Sequence, residues 1–262
     1  MRARGGAHAL ALFSLGAYLF LYAPILVLVA FSFNRGRLTA AWEGFTLGWY
    51  LKLLDDVQVL TSLRNSLVVA FAATVICTVL GTAAALALHR HRFRRQAAVE
   101  AMVTLPIVVP EIVLASSLVL LFAAAGLRLG FATVILAHIG FSVSYAVVVV
   151  RARLAGFDKS LEEAAMDLGA VPFRTLFRVT LPLTQPGIVA GCVLVFIPSL
   201  GAYLAPDLLG GARTVYVGNL IQSQFAVARD MPFGSAMSFL LSLLVVALLF
   251  AFRRPLRASR EL

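Results

Sequence analysis

Charge is what this chain has least of. Only 13% of its 262 residues are Asp, Glu, Lys or Arg, roughly half the share of a soluble domain. Acids are the scarcer sign, 12 against 22 bases. There are two cysteines, Cys77 and Cys192, each inside a long apolar run. Neither a disulfide framework nor a thiolate metal site fits that placement, which suits small core residues. No glycine-rich phosphate loop, HExxH or GxSxG segment occurs. The chain therefore lacks the constellation of a membrane enzyme, is expected to hydrolyse no ATP by itself, and needs no cofactor or metal of its own.

What remains is apolar: 61% of the residues are hydrophobic. A helix crossing a bilayer needs roughly 20 such residues in succession, and it satisfies its own backbone there. Six stretches qualify: Leu10–Phe33, Ser66–Leu88, Ala101–Ala125, Gly130–Val150, Gly187–Ala205 and Phe233–Phe252. An all-α integral membrane protein with six transmembrane helices is expected. The first stretch follows Arg2 and Arg4, as a secretory signal would, but it is long and ends at Phe33-Asn34 without a small-residue cleavage pattern, so it reads as a retained span.

A net charge of +10 could suggest nucleic acid, yet the bases are distributed as in a membrane protein. With a cytoplasmic N-terminus, the inner side holds Arg2, Arg4, Arg90, Arg92, Arg94, Arg95, Arg151, Arg153, Lys159, Arg174, Arg178, Arg253, Arg254, Arg257 and Arg260. The outer side keeps Arg35, Arg37, Lys52, Arg64, Arg128, Arg213 and Arg229. The positive-inside rule then places both termini in the cytoplasm. Three regions follow: an N-terminal helix with an outer segment (1–59), a membrane domain (60–252) and a basic tail (253–262). Trp42, Trp49 and Tyr50 in the outer segment suit the membrane interface. A short link at Gly126–Leu129 makes the third and fourth spans an antiparallel hairpin.

The longest inner segment, Arg151–Pro186, reads as structure and not as a tether. Ser160 is placed to cap a helix reaching about Leu168, with Glu162 and Glu163 in the first turn, where the helix dipole favours acids. Gly169 stands where a C-terminus favours positive φ. Pro172 opens a second helix with Phe173, Leu176 and Phe177 on one face, and Pro182 and Pro186 are expected to stop it.

Within this segment Glu163-Ala164-Ala165-Met166-Asp167-Leu168-Gly169 is followed, after nine residues, by Val179-Thr180-Leu181-Pro182. It resembles the EAA loop of type I ABC importer permeases, E-A-A, three residues, Gly, nine residues, Ile, any residue, Leu-Pro, with Val179 in place of Ile. The resemblance implies the permease fold of that family with a cytoplasmic coupling helix. Glu163, Ala164, Ala165, Asp167, Gly169, Leu181 and Pro182 would engage a separate ATP-binding subunit, which binds ATP and Mg. It also implies a second permease subunit, sister or identical, and an extracytoplasmic solute-binding protein. The residue types fit a helix seated in a groove: two alanines without bulk, an acid for a basic partner and a glycine that sets the exit angle.

Other segments are similar to spermidine/putrescine permeases: Phe45-Thr46 with Trp49-Tyr50, Leu88–Phe93, Pro106 to Pro110-Glu111-Ile112, Leu154–Asp158, Pro206–Gly211 and Asp230–Gly234. A polyamine is the cargo this implies; another small solute (amino-acid-like, phosphonate or metal chelate) is the alternative. An ion-coupled secondary transporter would also be polyhelical, but would have no use for the spacing from Glu163 to Pro182.

Several residues remain open between two readings. Glu111 is either an ionisable group at membrane depth or a helix-start residue after Pro110. His138, with Ser142 and Tyr145, is either an interhelical hydrogen-bonding stripe or a solute contact. Asp207 and Asp230, beside Tyr203, Tyr216 and Phe225, would suit a multiply charged amine through ion pairs and cation–π contacts, or pair with Arg213 and Arg229. His89 and His91 flank Arg90 without nearby Cys or carboxylate, as in a solvated basic end.

Overall fold

In a computed structural model, the described residues are 2–37, 41–91, 94–212 and 214–258; side chains of 2–9 and 253–258 lie outside the description. Arg92, Phe93, Arg213 and Arg260 fall outside the described residues, as do the side chains of the other bases at the two termini. The chain divides into two compact units, Met1–Val57 with Ile221–Leu243, and Gln58–Leu220 with Leu244–Leu262.

In the first unit, α1 (Arg2–Phe31) is apolar all round and exposed from Leu10 onward, as a helix surrounded by lipid or by another chain must be. The segment that follows folds on Asn34. This buried side chain accepts the Glu43 N–H at 2.9 Å and donates to the Ala41 carbonyl at 2.9 Å, while Trp49 Nε1 donates to its carbonyl at 2.7 Å. Trp49 and Tyr50 sit on the short helix α2 (Gly48–Asp55), and the Tyr50 hydroxyl lies 2.6 Å from Ser32 Oγ. These two aromatics are thus half-buried structural groups, whereas Trp42 is exposed.

The second unit is built on α3 (Val57–Arg90), α6 (Phe131–Leu154) and α9 (Leu181–Leu200). They meet through small residues: a β-carbon on Gly81 would lie 2.5 Å from Ala146 Cβ, and one on Gly187 would lie 2.6 Å from Arg153 Cβ. Close backbone approach replaces the hydrophobic driving force that lipid does not supply. Cys77 is buried in a cluster with Ala146 and Val195, and Cys192 Sγ lies 3.1 Å from Thr78 Oγ1. Both thiols are free. Towards the other end, Val69, Phe122, Val134, Leu209 and Tyr216 form a second cluster that seats α10 (Leu204–Leu209) on α5 (Glu111–Ala124) and α6. The link from α5 to α6 turns through Gly126 at φ +69°, as a hairpin here requires.

Among the described residues, five helices are long and apolar enough to cross a membrane: Leu10–Phe31, Val57–Arg90, Phe131–Leu154, Pro172–Leu200 and Met231–Phe252. The last belongs to α12 (Met231–Ala258). The third expected span, Ala101–Ala125, is not one continuous helix. It is the pair α4 (Gln96–Val108) and α5, bent by 108°. Pro110 is the cause: it lacks an N–H and pushes Val109 to an extended backbone at ψ 131°, so the α4 ladder ends there.

Candidate coupling surface and membrane cavity

Between α6 and α9, α7 (Ser160–Asp167) forms the short helix expected from the sequence, with one change at its start. Ser160 is the first helical residue and not its cap. The Asp158 carboxylate accepts the Ser160 N–H at 2.9 Å instead, and that bond holds its pKa below the usual value. At the other end Gly169 has φ +87°. Its N–H donates to Met166 O and the Ala170 N–H to Ala165 O, a Schellman termination that only a residue free to adopt positive φ closes without strain.

Glu163, Ala164 and Asp167 are exposed on α7, and Ala165 is half-buried. Next to them stands an apolar surface: Leu168 is 90% exposed, Phe173 73% and Phe177 53%, with the two phenyl rings 4.7 Å apart. Leu176, expected on the same face, is half-buried. Apolar groups this exposed beside a surface acid are what a protein partner covers.

The second helix does not stop at Pro182 or Pro186. After α8 (Pro172–Thr175) comes a π turn, Leu176–Thr180, and then α9, which includes both prolines. Leu181 donates its N–H to Leu176, five residues back, so the ladder changes register before Pro182, whose missing donor falls in the first turn of α9. Leu181 is half-buried and Pro182 exposed.

Sequence reasoning missed one interaction here. Glu162, half-buried, accepts from Arg90 at the end of α3 and from the hydroxyl of Thr180. The only signal for it was Arg90 itself, one base among several at that end. Similarly, Glu100 on α4 holds Arg151 of α6 at 3.0 Å.

The break between α4 and α5 opens a cavity of about 280 Å³ against α6 and α9. Glu111, His138, Ser142, Tyr145 and Ser199 line it. His138 is buried and its Nδ1 lies 2.8 Å from the Val134 carbonyl, which makes Nδ1 the donor. Nε2 is then an acceptor, and it has no partner among the described residues. Glu111, exposed, opens α5 at the break rather than at the inner end of a span. The fold thus brings Glu111 and His138 together.

Tyr203 and Asp207 are not among the residues lining this cavity. Asp207 is exposed and bonded to Asn219 Nδ2 at 3.1 Å. Asp230, in the other unit, is buried; it pairs with Arg37 at 3.2 Å and accepts the Phe233 N–H in the first turn of α12. Tyr216 is buried in the α10 cluster. No group of three or more His, Cys, Asp or Glu side chains that could hold a metal is found among the described residues.

Residues 77–258 match the family described as the binding-protein-dependent transport system inner membrane component. The chain belongs to this family. It is accordingly the non-catalytic permease subunit of an ABC importer and an inner membrane protein. It is similar to the spermidine/putrescine transport system permease protein PotC of Haemophilus influenzae, 39% identical over 74% of this chain and 76% of that one. Over 93% of its length it is 34% identical to the putrescine transport system permease protein PotI of Escherichia coli, covering 89% of that chain. The fold matches that of a chain in a bacterial ABC transporter involved in the import of the acidic polysaccharide alginate. The TM-score is 0.79 at 17% identity, covering 100% of this permease and 97% of that chain. The type I ABC importer permease fold and the six-span reading, with its third span broken, both agree with this membership.

Proposed function

We propose that this permease carries a polyamine, putrescine or spermidine, and that α7 is its coupling helix. The names of the 34–39% identical relatives support the cargo. The coupling role rests on one observation above others: Glu163 and Ala164 stand exposed beside uncovered Leu168, Phe173 and Phe177. In this reading Glu163, Ala164, Ala165, Asp167 and Gly169 meet an ATP-binding subunit that binds ATP and Mg, while Leu181 and Pro182 carry its movement into α9. A second permease subunit, sister or identical, completes the passage, and an extracytoplasmic solute-binding protein delivers the cargo. Both termini lie in the cytoplasm, in keeping with the distribution of Arg and Lys. The region before about residue 60 acts as an anchor to the membrane domain that follows, and the basic tail stays inside.

Glu111 and His138 face the passage in this account, with Glu111 as counter-charge and His138 Nε2 as acceptor for an ammonium group. Tyr203 and Asp207 belong to the outer approach, and Asp230 is assigned to the substrate path from its place in the sequence alone. Uptake of labelled putrescine and spermidine by the complete transporter in proteoliposomes, competed with amino acids, phosphonates and metal chelates, tests the cargo. Competition by one of those solutes but by neither polyamine would reassign it.

A further inference from the structure

Of the three acids on α7, Glu163 and Asp167 are exposed and Glu162 alone is half-buried. Its Oε1 accepts from Arg90 Nη2 and from Thr180 Oγ1, and the same Arg90 nitrogen lies 3.0 Å from Thr180 Oγ1. The three groups form a closed triangle. They come from different elements: Arg90 ends α3, Glu162 lies in the first turn of α7 and Thr180 ends the π turn.

Thr180 is buried, and its carbonyl accepts the Thr184 hydroxyl at 2.5 Å, so it is fixed to α9 as well as to Glu162. The π turn carries an i→i+5 bond between two segments of α-helix, a local irregularity that is frequent at functional sites. Beyond it, α9 supplies Pro198 and Ser199 to the cavity. A contiguous route therefore runs from α7 through Glu162, Thr180 and the π turn to the cavity wall.

We propose that Glu162 is a positioning residue for transport. Through Arg90 and Thr180 it ties α7 to the inner end of α3 and to the π turn, so that displacement of α7 is delivered to α9. The proposal rests on the reading of α7 as the coupling helix. A half-exposed ion pair alone contributes little stability, so its loss should be read in coupling and not in folding.

The test uses the complete transporter in proteoliposomes and reads putrescine uptake per ATP hydrolysed. Glu162→Ala and Thr180→Val are expected to lower this ratio about fivefold while the ATP-binding subunit still co-purifies. Glu162→Gln keeps an acceptor oxygen and is expected to fall less far. A wild-type ratio in Glu162→Ala overturns the proposal. So does loss of the partner subunit in that variant, which would make Glu162 a docking residue, and so does a Gln variant worse than the Ala one. If Glu162→Ala does not insert, Thr180→Val decides by the same ratio, because it removes only a hydroxyl. Glu163→Lys, assayed in parallel, separates the two ideas: if it binds the partner and transports normally, the coupling-helix reading itself has failed, whatever Glu162 does.

Discussion

Gly81 of α3 and Ala146 of α6 approach so closely that a β-carbon on Gly81 would sit 2.5 Å from Ala146 Cβ. The same Ala146 touches the space above Gly191 of α9, where an added β-carbon would be 3.4 Å from its Cα. One alanine is thus the point at which three spanning helices cross. Gly81→Val should destabilise the membrane domain by about 1–3 kcal/mol through overpacking. Gly140→Ala, on α6 with nothing within 4 Å, should not. Thermal unfolding of the detergent-purified protein compares the two; equal melting would show that the crossing is looser than described.

Asp207 and Asp230 should separate on substitution. Asp230→Ala removes both the charge facing Arg37 and the acceptor of the Phe233 N–H, so about 1 kcal/mol of stability at the start of α12 goes with it, whereas Asp230→Asn keeps an acceptor oxygen and loses less. Asp207→Asn touches only an exposed contact to Asn219 and should slow uptake without lowering the amount of assembled transporter. Unchanged uptake in Asp207→Asn would leave that acid a loop residue bonded to Asn219.

The sequence carries those features whose physical cause is local. Gly169 was legible because a helix end needs positive φ at that position, and the spans were legible because bilayer thickness sets their length. The break at Pro110 was not: apolar composition is the same on both sides of a 108° bend, and only backbone geometry distinguishes them. Pro182 and Pro186 were misread as stops because a π turn that shifts the hydrogen-bond register leaves no mark in composition. Glu162 and Glu163 look alike in sequence. What distinguishes them is Arg90, which lies 72 positions from Glu162 in the chain.

Orientation is tested by labelling single cysteines in intact cells, in a background without Cys77 and Cys192. A probe at Asp56 should react with an impermeant reagent, and one at Ser160 should not. Reaction at Ser160 would invert the topology and remove α7 from the side where ATP is hydrolysed.

Gly169→Val forces a β-branched residue to φ +87°, at a cost of about 1–3 kcal/mol. The strain falls on the end of α7 and not on the membrane core, because nothing lies within 4 Å of a β-carbon added at Gly169. Membrane insertion should persist while uptake fails; normal uptake would show that the exit angle of the helix is unimportant.

The most direct measurement is co-purification of the ATP-binding subunit with Glu163→Lys, together with uptake, beside the surface control Arg257→Ala. Reversing the charge at a contact that desolvates an acid commonly costs about 2–5 kcal/mol. The account predicts a variant that inserts normally, retains little of the partner subunit and transports little. A variant that inserts, binds the partner and transports like the control would show that the Glu163–Gly169 segment is only a connector between spans.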